Sequence, residues 1–311
     1  MIVNWHGHVY PPEDLAARQW SGRSPFALDS YLDIHAAAGV DLSVVSNTIH
    51  SLAGLPMDRA LAGVQRWDEY AAEVQRRHPD RVVAFASTIP GGGDGFLAEL
   101  ERAVTEYHLK GVLINSSHDG VYPDADAARP FWELVSRLGI PVFLHAPRTG
   151  PGEEHMRDYR LASSVGRPFD ECLSLARLIV RGVLEQFPDV TIVGAHLGGG
   201  ICEVVGRLDY AYELRDEAAF LGPYEPMRIT RPPSEYLRQL YFDTVSYHAP
   251  ALMCAVATVG ADHLVLGADA PPLSPLLPRA IDLVQRLPLS PDEIAAISAG
   301  NALRLLGIDR P

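Results

Sequence analysis

The sequence predicts an α/β fold, a (β/α)8 TIM barrel with a metal site at the C-terminal rim of its strands. Three observations carry this. Eight short β-rich runs recur along the 311 residues, helical patterns lie between them, and histidine or aspartate stands at the end of several runs. Strands alternating with helices argue for a parallel sheet, and eight strands close such a sheet into a barrel.

The runs are residues 2–5, 42–46, 82–87, 111–115, 141–144, 191–195, 240–245 and 263–267. Apolar stretches of this length between turn residues suit strands buried on both faces. Residues 96–107 and 131–138 show apolar side chains at helical spacing, with Pro130 placed to start the second helix and Gly139 to end it. An open doubly wound sheet is the alternative, but no GxGxxG follows the first run. The glycines of 91–95 lack the Lys-Ser/Thr of a phosphate loop and read as a loop. No repeat or low-complexity segment divides the chain, which reads as one domain, 1–311. Segments 146–170 and 215–235 are long connections, a length at which lids and binding loops are common.

Composition narrows the function. A formal charge of −13 without a Lys/Arg-rich run argues against nucleic acid. No stretch of about 18 apolar residues signals a membrane span, and MIVNWHGHVY is not a secretory leader. A cytoplasmic enzyme is the expectation. Cys172, Cys202 and Cys254 are odd in number and far apart, so they read as small buried apolar residues.

His6 and His8 end the first run two residues apart, a spacing that puts both on one side of a strand. Barrel active sites form at the carboxyl ends of strands. His145 ends the fifth run, His196 the sixth, and Asp269 follows the eighth. One such histidine is more often structural; several on one rim read as a metal site. Nitrogen with carboxylate donors suits Zn2+, with Mn2+ or Fe2+ as options. His50, His118 and His248 follow other runs and are weaker candidates; His35, His78, His108, His155 and His263 read as structural or solvated.

These residues also carry a resemblance. MIVNWHGHVYPPE, PVFLHAPR, SSVGRPFDECLSLARLIVRGVLEQFPDVTIVGAHLGGG, FDTVSY, LVLGADAP and GNALRLLGI resemble the amidohydrolase-related family that includes aminocarboxymuconate semialdehyde and γ-resorcylate-type decarboxylases. The 163–200 run follows the decarboxylase branch in order and spacing. The resemblance implies that His6, His8, His145 and Asp269 hold a divalent metal, usually zinc, that His196 is an acid/base or polarising group beside it, and that the enzyme is a homodimer. The expected reaction is decarboxylation of a small aromatic or unsaturated carboxylate, with Asp269 able to exchange a proton. The alternatives are a metal-dependent hydrolase of a lactone, C–C or C–N bond, a hydratase, or a binding barrel without catalysis.

The chain departs from the family pattern at three places. Asn4 stands where an acidic residue is usual, Ala270 where an aromatic is common, and the region before the second run has no substrate-binding arginine. Arg148 or Arg23 could supply that charge. Thr88 and Asn115, at the ends of the third and fourth runs, join Arg148 as candidate substrate-binding residues.

Overall fold

The computed structural model describes residues 1–17, 24–49, 52–147, 150–217 and 225–309, so Arg23, His50 and Arg148 lie outside the described residues. Eight parallel strands follow one another around a barrel. They are β1 (Val3–His8), β2 (Leu42–Ser46), β3 (Val82–Ala84, resuming at Ala86–Ser87), β4 (Val112–Asn115), β5 (Val142–His145), β6 (Ile192–Gly194), β7 (Tyr241–Asp243) and β8 (Leu264–Val265). Each pairs in parallel with the next. Across the break in β3, Phe85 N–H reaches Val45 O at 3.0 Å. The ring closes where Trp5 N–H donates to Leu266 O and His8 N–H to Ala270 O, both at 2.8 Å. All eight runs expected from the sequence are present, with ends shifted by up to three residues, β1 running on to His8.

A helix follows each strand: α1 (Leu28–Ala37), α2 (Met57–Arg77), α3 (Asp94–Thr105), α4 (Arg129–Leu138), α5 (Arg167–Val180), α6 (Ile201–Glu213), α7 (Ala249–Val259) and α8 (Leu277–Gln285). The spacing of apolar residues explains how they lie. On α2, Ala60, Val64, Trp67, Ala71 and Val74 recur every three or four residues and are buried against the strands. Pro130 occupies the first turn of α4, and Gly139 closes it at φ 64° by donating its N–H to Val135 O. Helix α3 begins two residues earlier than the apolar spacing suggests, because Gly93 at φ 89° turns the chain directly into it.

Inward side chains fill the barrel. Val3, Trp5, Leu42, Val44, Phe85, Leu113, Phe143, Val193 and Val265 pack into one cluster, and Ala302, Leu303 and Leu306 of the last helix, α9 (Asn301–Leu306), pack against the same cluster. Outward side chains of the strands form a larger shell with the helices. Cys202 is buried as expected, whereas Cys172 and Cys254 are half-buried. Among the described residues no helix is long and apolar enough to cross a membrane.

Candidate active site

Strand β1 aims its histidines by breaking its own alternation. Its register against β2 shifts between Asn4 and Gly7. Trp5 packs into the barrel interior and His6 stacks edge-on against Phe143, while Asn4 meets Tyr31 and His35 of α1. A bulge of this kind re-aims side chains beside active sites. Gly7 then faces outward, where a Cβ would lie 2.0 Å from Tyr31 Oη. Only glycine fits between the two histidines.

Five groups converge at the rim. His6 Nε2 lies 3.1 Å from His8 Nε2 and 3.4 Å from Asp269 Oδ1. His8 Nε2 is 3.6 Å from the same oxygen, and His196 Nε2 is 3.5 Å from Asp269 Oδ2. Donor atoms of His6, His145, His196 and Asp269 all lie within 4.8 Å of one another. The His145 ring stands 4.9 Å from that of His6 and 5.0 Å from that of His8. Donors bonded tetrahedrally at zinc–nitrogen distances stand roughly 3.3 Å apart, so these spacings fit a ligand shell.

The tautomers fit as well. His6 Nδ1–H donates to Asp243 Oδ2 at 2.5 Å, and His145 Nδ1–H to Ala146 O at 2.9 Å. Both rings thereby present a bare Nε2, the form that binds metals. Burial holds the pKa of His8 below its ordinary value. Burial pushes the Asp269 carboxyl up, but the surrounding histidines outweigh it and keep the group well below the usual carboxylate range. Burial likewise opposes charge on His196, yet the Glu171 and Asp269 carboxylates prevail and hold its pKa well above 6.5.

His196 sits on a left-handed turn. Residues 196–200, HLGGG, all have φ between 48° and 92°. At Gly199 a Cβ would meet Pro168 O at 1.8 Å, so the turn can lie against the start of α5 only with glycine there. From α5, Glu171 reaches His196 Nδ1 with both oxygens, at 2.9 and 3.0 Å. Above the cluster opens a cavity of about 710 Å3. Tyr10, Phe26 and Tyr247 line it together with Arg160, Ser163 and Arg167.

Residues 3–308 match the Amidohydrolase family. The chain belongs to that family. It is 30% identical over 276 residues to 2-amino-3-carboxymuconate-6-semialdehyde decarboxylase of Dictyostelium discoideum, covering 87% of this chain and 74% of that one. The structure of 5-carboxyvanillate decarboxylase from Sphingomonas paucimobilis superimposes with a TM-score of 0.87 at 21% identity, covering 99% of each chain. That of dihydroxybenzoic acid decarboxylase from Polaromonas, solved with manganese and 2-nitroresorcinol, gives 0.83 at 23% identity, covering 100% and 98%.

In this amidohydrolase the expected rim residues His6, His8, His145, His196 and Asp269 are together. Thr88 and Asn115 are buried and line a neighbouring cavity instead, with His118. His248 is exposed ahead of α7. Sequence reasoning missed two residues, Asp243 and Glu171, both fully buried, against His6 and His196. Asp243 ends β7 as His145 ends β5, and that shared position was the available signal. Glu171, inside a helix, offers none in a single sequence.

Proposed function

We propose that the chain is a cytoplasmic, single-domain, divalent-metal-dependent carboxy-lyase acting on a small aromatic or unsaturated carboxylic acid. The observation that carries this is His196, held between two carboxylates at the floor of the cavity, its donor atom within 4.8 Å of those of His6, His145 and Asp269, with His8 Nε2 3.1 Å from His6 Nε2. His6, His8, His145 and Asp269 are the ligands in this reading. Nitrogen-rich donors favour Zn2+, and the manganese of the Polaromonas relative makes Mn2+ the second choice. Such a cation would polarise a substrate oxygen and orient the ring.

The chain's own residues handle the proton. Glu171 keeps the His196 Nδ1–H in place, so Nε2 faces Asp269 and the cavity. An imidazole whose Nδ1 is held by a buried carboxylate can carry at Nε2 the proton that the reaction needs. His196 Nε2–H delivers its proton to the carbon bearing the carboxylate. The bond to that carboxylate then breaks, its electron pair restores the unsaturated system, and CO2 leaves. His196, now neutral, is reprotonated from solvent while Glu171 retains the other face. Arg160 and Arg167 line the mouth and give anionic substrates the local positive charge that a net charge of −13 denies at long range. Arg148, three residues after His145 in the sequence and outside the described residues, remains a proposed substrate-binding residue.

The test is CO2 release from a panel of aromatic and enolic acids, beside ester, lactone and amide hydrolysis, with products weighed by mass spectrometry. CO2 release that tracks metal content supports the reading. Products that gain water, with no CO2 from any acid, would move it to a hydrolase or hydratase. His196→Ala should keep its metal and lose at least about 100-fold in turnover. Loss of metal in step with activity would make His196 a ligand.

The assembly proposed is a homodimer. Tyr159, Phe169, Leu173 and Val204 are large apolar side chains left exposed, Tyr159 at 91% and Phe169 at 56%. They lie on α5, on the segment before it, and on α6, which packs against it.

A further inference from the structure

A second cavity opens on the same rim, between the loops that follow β2, β3 and β4. It encloses about 120 Å3 and shares no lining residue with the cavity over the metal cluster. Ile49, Ile89, Val121 and Pro123 make its apolar walls. Asn115 and His118 interrupt them, only 5% and 8% exposed. Among the described residues, neither Asn115 Oδ1 nor either ring nitrogen of His118 has a hydrogen-bond partner. Folded proteins leave few buried polar atoms in that state, and the exceptions call for an explanation such as a ligand.

The surroundings define what would satisfy them. No lysine or arginine lines the cavity among the described residues, and its one carboxylate, Asp119, takes Gly54 N–H at 3.0 Å from both oxygens and stands 3.6 Å from His118 Nε2, beyond hydrogen-bond distance. An anion there would be buried unpaired beside a like charge. Burial holds His118 neutral, its pKa below the ordinary value, so it offers one donor and one acceptor. The volume is close to that of apolar cavities of ~150 Å3 known to accept benzene. The backbone around it is strained: Ile49 stands at φ 44° and Asp119 at φ 48°. A β-branched residue in the left-handed region is a true outlier, and such strain clusters at ligand clamps.

We infer that this cavity is a second binding site, for a neutral aromatic of phenol size whose hydroxyl donates to Asn115 Oδ1 and accepts from His118. Where the carboxy-lyase reading holds, removal of CO2 turns an anionic acid into such a molecule, and the site would hold product while refusing substrate. That consequence rests on the reading; the binding does not.

The experiment reads occupancy. Phenol and benzoate are titrated calorimetrically into the metal-loaded chain, and crystals are soaked in each. Ring density between Asn115 and His118 from phenol and none from benzoate is the expected result. Asn115→Leu should weaken phenol about 3–10-fold, the loss of one hydrogen bond. Val121→Trp, at a 56% exposed wall position, should block the cavity with the fold intact. Water alone in the cavity, a ring only over the metal cluster, or unchanged affinity in the Val121 variant would overturn the inference. A chain that decarboxylates nothing would still report on it.

Discussion

Asp243 accepts the Nδ1–H of His6 with one oxygen, and the other takes backbone N–H groups from Leu197 at 3.2 Å and Val245 at 3.0 Å. It joins the first strand, the turn that carries His196 and its own strand through one side chain. Asp243→Asn keeps the shape and weakens the partner that fixes the His6 tautomer. Metal affinity should fall about 10–100-fold, measured by competition with a chromophoric chelator. Glu171 acts on His196 in the same manner but on proton chemistry. Its own carboxyl is pushed up by burial to about 7. It is a positioning residue, and Glu171→Gln should lower kcat about 10-fold or more with KM little changed. Because Glu171 raises the His196 pKa and the proposed mechanism uses the protonated ring, activity in the variant should be lost at lower pH as pH rises. An unmoved alkaline limb would limit Glu171 to a packing role. The metal-side residues were legible because each ends an apolar run at a rim position. The two supporting carboxylates were not, since the acid of FDTVSY, or one of the two in FDECLS, looks like a solvated charge until folding brings it to a histidine 237 or 25 residues away.

At the scale of elements, the pairing of β1 with α1 explains Asn4. Its Oδ1 accepts N–H groups from His6 at 3.3 Å and Ala268 at 3.0 Å, while its Nδ2–H2 donates toward Tyr31 Oη at 3.3 Å and His35 Nε2 at 3.2 Å. A carboxylate could accept the first pair but not donate to the second. His35 Nδ1–H donates to Tyr31 O at 2.8 Å, so the ring must be neutral to accept from Asn4. Burial lowers its pKa from 6.5 to about 4. The unfolded chain therefore binds the extra proton first, and this site's contribution, complete above the unfolded pKa, is lost as pH falls from about 6.5 toward 4. Urea unfolding should show about 2 kcal/mol less stability from this site at pH 5 than at pH 7. In His35→Phe that part of the pH dependence should vanish. The strands and helices were legible from periodicity and turn residues. The bulge was not, because a one-residue register shift leaves the composition of VNWHGH unchanged and shows only where Trp5 and His6 share a side.

For the whole molecule, the exposed apolar side chains of α5 and α6 set an expectation about assembly. Sedimentation should give a dimer at micromolar concentration, and Phe169→Asp with Leu173→Asp a folded monomer. A monomeric native chain would remove the homodimer from the proposal.

Closure of the barrel has a consequence in time. Strand β1 carries His6 and His8 and is also the strand that seals the ring, through its hydrogen bonds to Leu266 and Ala270. Asp269 lies between those two partners in the chain. During synthesis His6 and His8 emerge first, and Asp269, the acid proposed to complete their set, follows only after the other seven strands. On a nascent chain the two histidines wait, without that carboxylate or the Asp243 brace, until the seventh and eighth strands have followed them out. In the proposed metal site, completing the donor set and closing the ring are then one event.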